Sequence, residues 1–206
     1  SHLTATHMET TQTPLLGVRF EQALCLAHRL HRHQIRKGHP TPYIAHLLSV
    51  TALVLEDGGS EDEAIAALLH DAIEDQGGST TRELIRHQFG ETVISLIEGC
   101  TESDSYPKPP WIERKQRHLT QLKNASPAVR RITLADKLHN ARSLLADYET
   151  FGEALWQRFA GDREGTLWYY QQVIQMLATQ DAGRLGRMLI QTVQQLTALN
   201  SYRTQE

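Results

Sequence analysis

An all-α fold is predicted by three features of the sequence. Apolar residues recur at three-to-four-residue spacing in segment after segment, the period of a helix with one buried face. Alternating apolar and polar runs, the mark of half-buried strands, do not appear. Glycine pairs and proline clusters fall at the boundaries between the periodic segments. The expectation is about eight to ten helices of uneven length, packed as a globule and not as a symmetric bundle.

The first helix is expected over Val18 to Gln34, with Phe20, Leu24, Ala27 and Leu30 on its apolar side. Gly38, Pro40 and Pro42 force a loop after it. Tyr43 to Glu56 follows as a helix and is stopped by Gly58-Gly59. Ser60 and Glu63 have the spacing of a capping box, opening a third helix that runs into His70-Asp71 and onward to Asp75. Gln76-Gly77-Gly78 ends it, and Thr80 with Glu83 offers a second capping box for a helix to Phe89. Thr92 to Cys100 reads as a short helix, and Thr101 to Pro110 as a polar loop. Trp111 begins a helix that carries a basic run and reaches Asn124. Ser126-Pro127 starts another, with proline at its first position, continuing to about Tyr148. Gly152 and Gly161 bracket a short helix, and Thr166 to Thr179 and Gly183 to Leu199 complete the chain. No fixed-period repeat is present.

The 206 residues suit one domain with a substantial core, placed at 15–200 with the helices after about 150 as a C-terminal extension. Ser1 to Met8 reads as a cloning scar and is left out of the fold. With 21 basic and 24 acidic residues, net −3, the chain is not a general nucleic-acid binder. No apolar run approaches the ~20 residues of a membrane span, and no signal peptide is visible. Cys25 and Cys100 lie in apolar helical contexts and read as reduced core thiols. A soluble cytoplasmic protein is expected, its oligomeric state left open.

The chemistry is concentrated in His70-Asp71-Ala72-Ile73-Glu74-Asp75, at the end of the apolar stretch Ala64 to Leu69. A histidine and three carboxylates within six residues of core-like sequence are costly to bury without a compensating cation. His70 and Asp71 point ~100° apart on an ideal helix, so they share an ion only near the helix end or against the side between them. Glu74 and Asp75 are then placed to position or deprotonate its water. Two isolated polar residues interrupt other apolar faces: His46, within Tyr43 to Leu48, and Asp136, within Ile132 to Asp136. Singly, the first is an ordinary core histidine and the second a solvated or capping aspartate. Read together, His46, His70, Asp71 and Asp136 form a two-His, two-Asp set from three helices. Such a set suits a divalent ion of borderline or hard character and leaves positions for water and a phosphate oxygen.

His46, then His70-Asp71, then Asp136, in this order on helices, resembles the HD-domain metal-dependent phosphohydrolases. Pro42 to His46, the run Ala67 to Asp75, Phe89 to Val93 through Glu98 to Thr101, and Leu134 to Arg142 resemble the hydrolase domain of the RelA/SpoT family and its stand-alone small alarmone hydrolases. The resemblance implies removal of the 3′-pyrophosphate of guanosine tetra- or pentaphosphate with Mn²⁺, other divalent ions (Fe²⁺, Co²⁺, Ni²⁺, Zn²⁺, Mg²⁺) being compatible. It implies His46, His70, Asp71 and Asp136 as metal ligands and Glu74 and Asp75 as the acid/base pair. Arg36 and Lys37 match positions lining the nucleotide pocket, and Asn140 and Ser143 positions near the nucleoside. Departures from the family pattern are Leu47 for proline, Gln76 and Ser143 for threonine, His33 for glycine, and a loop one residue longer at 38–42.

Lys108, Arg114 and Lys115 are candidates to reach substrate phosphates from the rim, whereas Arg117 reads as a solvated helix face. Trp156, Phe159, Trp168, Tyr169 and Tyr170 read as core packing, not as a stacking platform. His28, His31, His33, His87, His118 and His139 are assigned to structure or surface, with His31 the one expected to support the site. Two alternatives remain beside the alarmone reading. One is an HD phosphohydrolase acting on an adenosine alarmone, the 2′-phosphate of NADPH or a nucleoside monophosphate. The other is a non-catalytic metal- or nucleotide-binding module, against which the presence of Glu74 and Asp75 speaks.

Overall fold

A computed structural model of the protein describes residues 15–102, 107–178 and 183–199. The elements are α1 (Val18–His31), α2 (Ile44–Glu56), α3 (Glu61–Leu69), α4 (Ala72–Asp75), α5 (Gly78–Phe89), α6 (Glu91–Cys100), α7 (Trp111–Leu122), α8 (Pro127–Phe151), a 3₁₀ turn (Gly152–Arg158), α9 (Asp162–Leu177) and α10 (Gly183–Ala198). Among the described residues there is no strand, only an isolated antiparallel bridge between Ile35 and Pro42. The expected all-α architecture is therefore present, and among the described residues no helix is long and apolar enough to cross a membrane. Ser1 to Met8 lies outside the described residues.

α3 is the centre of the packing. Ala64 to Leu69 are all fully buried, and α1, α2, α6 and α8 surround them. A helix apolar on every side is stable only when enclosed in this way, and each buried Ile or Leu contributes about 1.5–3 kcal/mol. Its start is fixed by the expected capping box: Ser60 Oγ accepts from Glu63 N at 3.2 Å, and Glu63 Oε2 accepts from Ser60 N at 2.8 Å. Arg131 on α8 then bridges Asp57 (2.9 Å) and Glu63 (2.7 Å), tying the α2–α3 connection to the long helix. α8 extends ~37 Å over its 25 residues and packs on α2, α3, α6 and α10.

Several expectations are corrected. The helix through the His-Asp cluster is not continuous: α3 stops at Leu69, and Asp71 has φ −97° and ψ −3°, between helix and turn. α1 ends at His31, three residues early, because the chain folds into paired backbone between 34 and 43, with Arg36 N donating to Thr41 O and Tyr43 N to Gln34 O. Thr80 and Glu83 form no capping box; α5 already begins at Gly78, where Gly77 supplies a φ of +106°, so Thr80 lies inside the first turn. α9 starts at Asp162, four residues earlier than expected, with Asp162 Oδ1 accepting from the amides of Glu164 and Gly165. Cys25 is exposed, since it falls on the outward side of α1 between the turns that bury Ala23 and Leu26.

Candidate active site

Three elements and one break deliver the four polar side chains that interrupt the core. His46 lies on α2 beside the buried Leu47 and is itself 1% exposed; His70 caps the C-terminus of α3 and is 3% exposed. Asp71 occupies the break before α4, and Asp136 lies inside α8. His46 Nε2 is 2.9 Å from Asp136 Oδ1, and His70 Nε2 is 3.2 Å from the same oxygen. His70 Nε2 lies 3.2 Å from Asp71 Oδ2, and His46 Nε2 lies 3.9 Å from it. One donor atom from each of the four falls within 4.8 Å of all the others. Termination of α3 at His70 is what lets neighbours in sequence point to one place.

The imidazoles are prepared to receive a cation. His70 Nδ1 donates to Ala67 O at 2.6 Å, which leaves the Nε2 lone pair free toward the carboxylates. Burial pulls this imidazole down, but the carboxylates of Asp71 and Asp136 outweigh it and push its pKa up to about 10. Burial opposes the charge on Asp136, yet Lys137 and the two histidines hold its carboxyl well below the usual range. Two carboxylates thus stand in a buried place that attracts a proton strongly when nothing else neutralises them. A divalent cation answers that demand, and the mixed imidazole and carboxylate donor set fits one. Tyr43 reinforces the cluster by donating its hydroxyl to Asp71 Oδ2.

The candidate acid/base pair follows directly on α4. Glu74 is partly buried, and burial together with Asp71, Glu102 and Asp75 raises its pKa to about 7, against the opposing charge of Lys108. Burial and Asp71 raise the carboxyl of Asp75 as well. Asp75 Oδ2 accepts from Gln34 Nε2 at 3.1 Å, while Gln34 Oε1 accepts from Gln76 Nε2 at 2.9 Å and lies 2.7 Å from His31 Nδ1. His31 is thus linked to Asp75 through Gln34. Lys108 is close enough to influence both acids but does not line the adjoining cavity.

That cavity, of about 360 Å³, receives most of the other candidates: Arg36, Lys37, Arg114, Lys115, Asn140 and Ser143 all line it. Arg36 Nη2 donates to Asn140 Oδ1 at 3.4 Å, and Ser143 Oγ donates back to His139 O at 2.9 Å. Arg114 and Lys115 are held by Glu102 at 3.3 and 2.6 Å. Arg117 instead pairs with Glu113 on the solvent face. The late aromatics are core as expected, and three of them, Phe159, Tyr169 and Tyr170, also line the cavity, together with Tyr43 and Trp111. The rings of Phe159, Tyr169 and Tyr170 are packed on the core as well as lining the cavity. Trp111 rests on glycine: a Cβ at Gly161 would meet its ring at 2.5 Å, and one at Gly165 at 3.1 Å.

Sequence reasoning missed four participants. Tyr43 touches Asp71, and Lys137 Nζ is 3.0 Å from Asp136 Oδ2 and 5.3 Å from the ring centre of Tyr169. His139 Nδ1 is 2.7 Å from His46 Nδ1, and Glu102 anchors the basic pair. Tyr43 and His139 each lie three residues from a cluster member, the spacing that could have flagged them.

Two buried imidazoles and two partly buried carboxylates converging at the end of an apolar helix, inside an all-α fold, define the class: the HD-domain profile matches residues 23–167, and the chain belongs to the HD-domain family. Within it, the chain is 38% identical over 126 residues to guanosine-3′,5′-bis(diphosphate) 3′-pyrophosphohydrolase MESH1 of Homo sapiens, spanning 60% of this chain and 68% of that one. With the Drosophila melanogaster protein of the same name it shares 34% identity over 137 residues, 65% and 74% of the two chains. Among solved structures it is similar to a metazoan orthologue of SpoT described as hydrolysing ppGpp. The TM-score is 0.72 at 28% identity, over 89% of this chain and 97% of the other.

Proposed function

We propose that this protein is a divalent-cation-dependent phosphohydrolase that removes the 3′-pyrophosphate from guanosine tetra- or pentaphosphate, with Mn²⁺ as its ion. The observation that carries this reading is the convergence of His46, His70, Asp71 and Asp136 within 4.8 Å, beside a cationic, aromatic-lined cavity. The similarity to relatives named for this activity supports the choice of substrate. In this reading those four residues hold the ion. A divalent cation so held polarises a phosphoryl oxygen and lowers the pKa of water.

The remaining steps belong to side chains of this chain. Arg36, Lys37, Arg114 and Lys115 attract and orient the phosphates, and Lys108 adds a charge near the acids. Asn140 and Ser143 face the nucleoside. As a water attacks the phosphorus bonded to the 3′-oxygen, Glu74 or Asp75 takes its proton. The P–O bond to the 3′-oxygen breaks, and that oxygen recovers a proton from the same pair. A carboxyl near pH 7 is suited to exchange protons in both directions. The test is to incubate Mn²⁺-loaded protein with guanosine tetraphosphate and resolve the products. Guanosine diphosphate and pyrophosphate in equal amounts are expected; release of orthophosphate, or no turnover, contradicts the reading.

A further inference from the structure

The cavity has one feature at odds with a site for phosphates alone. Among its described lining residues, Asp147 is the only carboxylate, in a wall that also carries Arg36, Lys37, Arg114 and Lys115. A carboxylate facing a phosphate is repulsive, so Asp147 must meet an uncharged part of the ligand. Its place on α8 says which part. Asp136, Asn140, Ser143 and Asp147 stand at intervals of four, three and four residues on one helix. That spacing puts all four on a narrow stripe, with Asp147 three turns, ~16 Å, beyond Asp136. If Asp136 marks the end where phosphate reacts, Asp147 marks the opposite end, where a nucleotide held by its phosphates presents its base.

The carboxylate is oriented for recognition. Asp147 Oδ1 lies 2.7 Å from His39 Nε2, and no partner of Oδ2 is found among the described residues. His39 also lines the cavity and belongs to the loop that carries Arg36 and Lys37. That loop is tied down by Arg158, whose Nη1 donates to Gly38 O at 3.0 Å. A carboxylate only accepts hydrogen bonds. Guanine offers it two adjacent donors, N1–H and the 2-amino group. The matching edge of adenine turns the N1 lone pair toward it.

We propose that Asp147, held by His39, reads the base edge and selects guanine over adenine. The inference rests on the nucleotide-hydrolase reading above and adds the residue that fixes the base. It is tested by kcat/KM for the 3′,5′-bis(diphosphates) of guanosine, inosine and adenosine, with wild type, Asp147→Asn and Asp147→Ser. In parallel, calorimetry measures binding of the three nucleoside 5′-diphosphates to the same proteins. Wild type is expected to favour guanosine, with inosine intermediate because it keeps N1–H but lacks the amino group. In Asp147→Asn the guanosine-to-adenosine ratio is expected to fall by at least about tenfold, because a carboxamide offers adenine both a donor and an acceptor. Asp147→Ser, which removes the second acceptor with little volume, is expected to lose the preference without reversing it. Ratios within twofold of wild type in both variants overturn the proposal, as does an equal loss for all three bases. If wild type hydrolyses none of the three substrates, the hydrolase reading fails. The diphosphate affinities still decide whether Asp147 reads the base.

Discussion

His139 and His46 face each other through their Nδ1 atoms at 2.7 Å, a distance at which one nitrogen carries the proton and the other accepts it. Burial and the nearby charge of Arg36 and His46 lower the His139 pKa to about 4, so it meets His46 as a neutral ring. When His46 Nε2 binds a cation, its proton must sit on Nδ1, and His139 is the acceptor. His139→Leu is therefore expected to weaken Mn²⁺ binding by about 10- to 100-fold, while His139→Gln, which retains an acceptor, recovers most of it. Calorimetric titration of metal-free protein checks both.

Glu74→Gln keeps the shape of the side chain and removes its ability to take a proton. Turnover is expected to fall roughly 100- to 10,000-fold with the ion still bound. In wild type, a base must be deprotonated to act, so activity at saturating metal rises with pH through the Glu74 pKa. That pKa stands at about 7 in this structure, and a cation held by Asp71 shifts it downward. Loss of this rising limb in Glu74→Gln, measured in pH profiles of kcat, is the expected signature.

His118 is 2% exposed, and burial with the neighbouring Lys137 lowers its pKa from 6.5 to about 4. The unfolded chain takes up a proton as pH falls below 6.5, whereas the folded chain resists until about 4. Stability from this residue is therefore complete above that upper value and lost progressively across the window. The loss reaches up to about 3 kcal/mol. Urea unfolding of wild type and His118→Gln at pH 7.5 and pH 4.5 is expected to show a smaller decline in the variant.

Gly161→Ala drives a methyl group into the Trp111 ring, which stands 2.5 Å from the position of the added carbon. The indole must shift, at a cost of about 1–3 kcal/mol, and it forms part of the cavity wall. The expected result is a raised KM with Mn²⁺ affinity unchanged. An unchanged KM would mean that Trp111 does not shape the bound substrate.

The polar cluster was legible in the sequence because His46, His70, Asp71 and Asp136 break apolar faces where burial leaves an unpaired charge no refuge. The helices were legible from period, and the Ser60–Glu63 box from its spacing. The break between His70 and Asp71 was not, since a helix end and a continuing helix share the same side-chain pattern there. Phe159, Tyr169 and Tyr170 read as core because they are packed on the core, and periodicity is blind to a cavity that they also line. Asp147 and His39 were invisible for a further reason. They sit 108 positions apart, and only the fold of the 36–42 loop against α8 brings them together.

The most direct measurement is a Mn²⁺ titration of chelator-treated wild type and Asp136→Ala, followed by calorimetry. Wild type is expected to bind one ion per chain, and Asp136→Ala to bind at least about 100-fold more weakly. Equal affinity in the two proteins, or no saturable binding by wild type, would contradict a cation held jointly by α2, α8 and the end of α3.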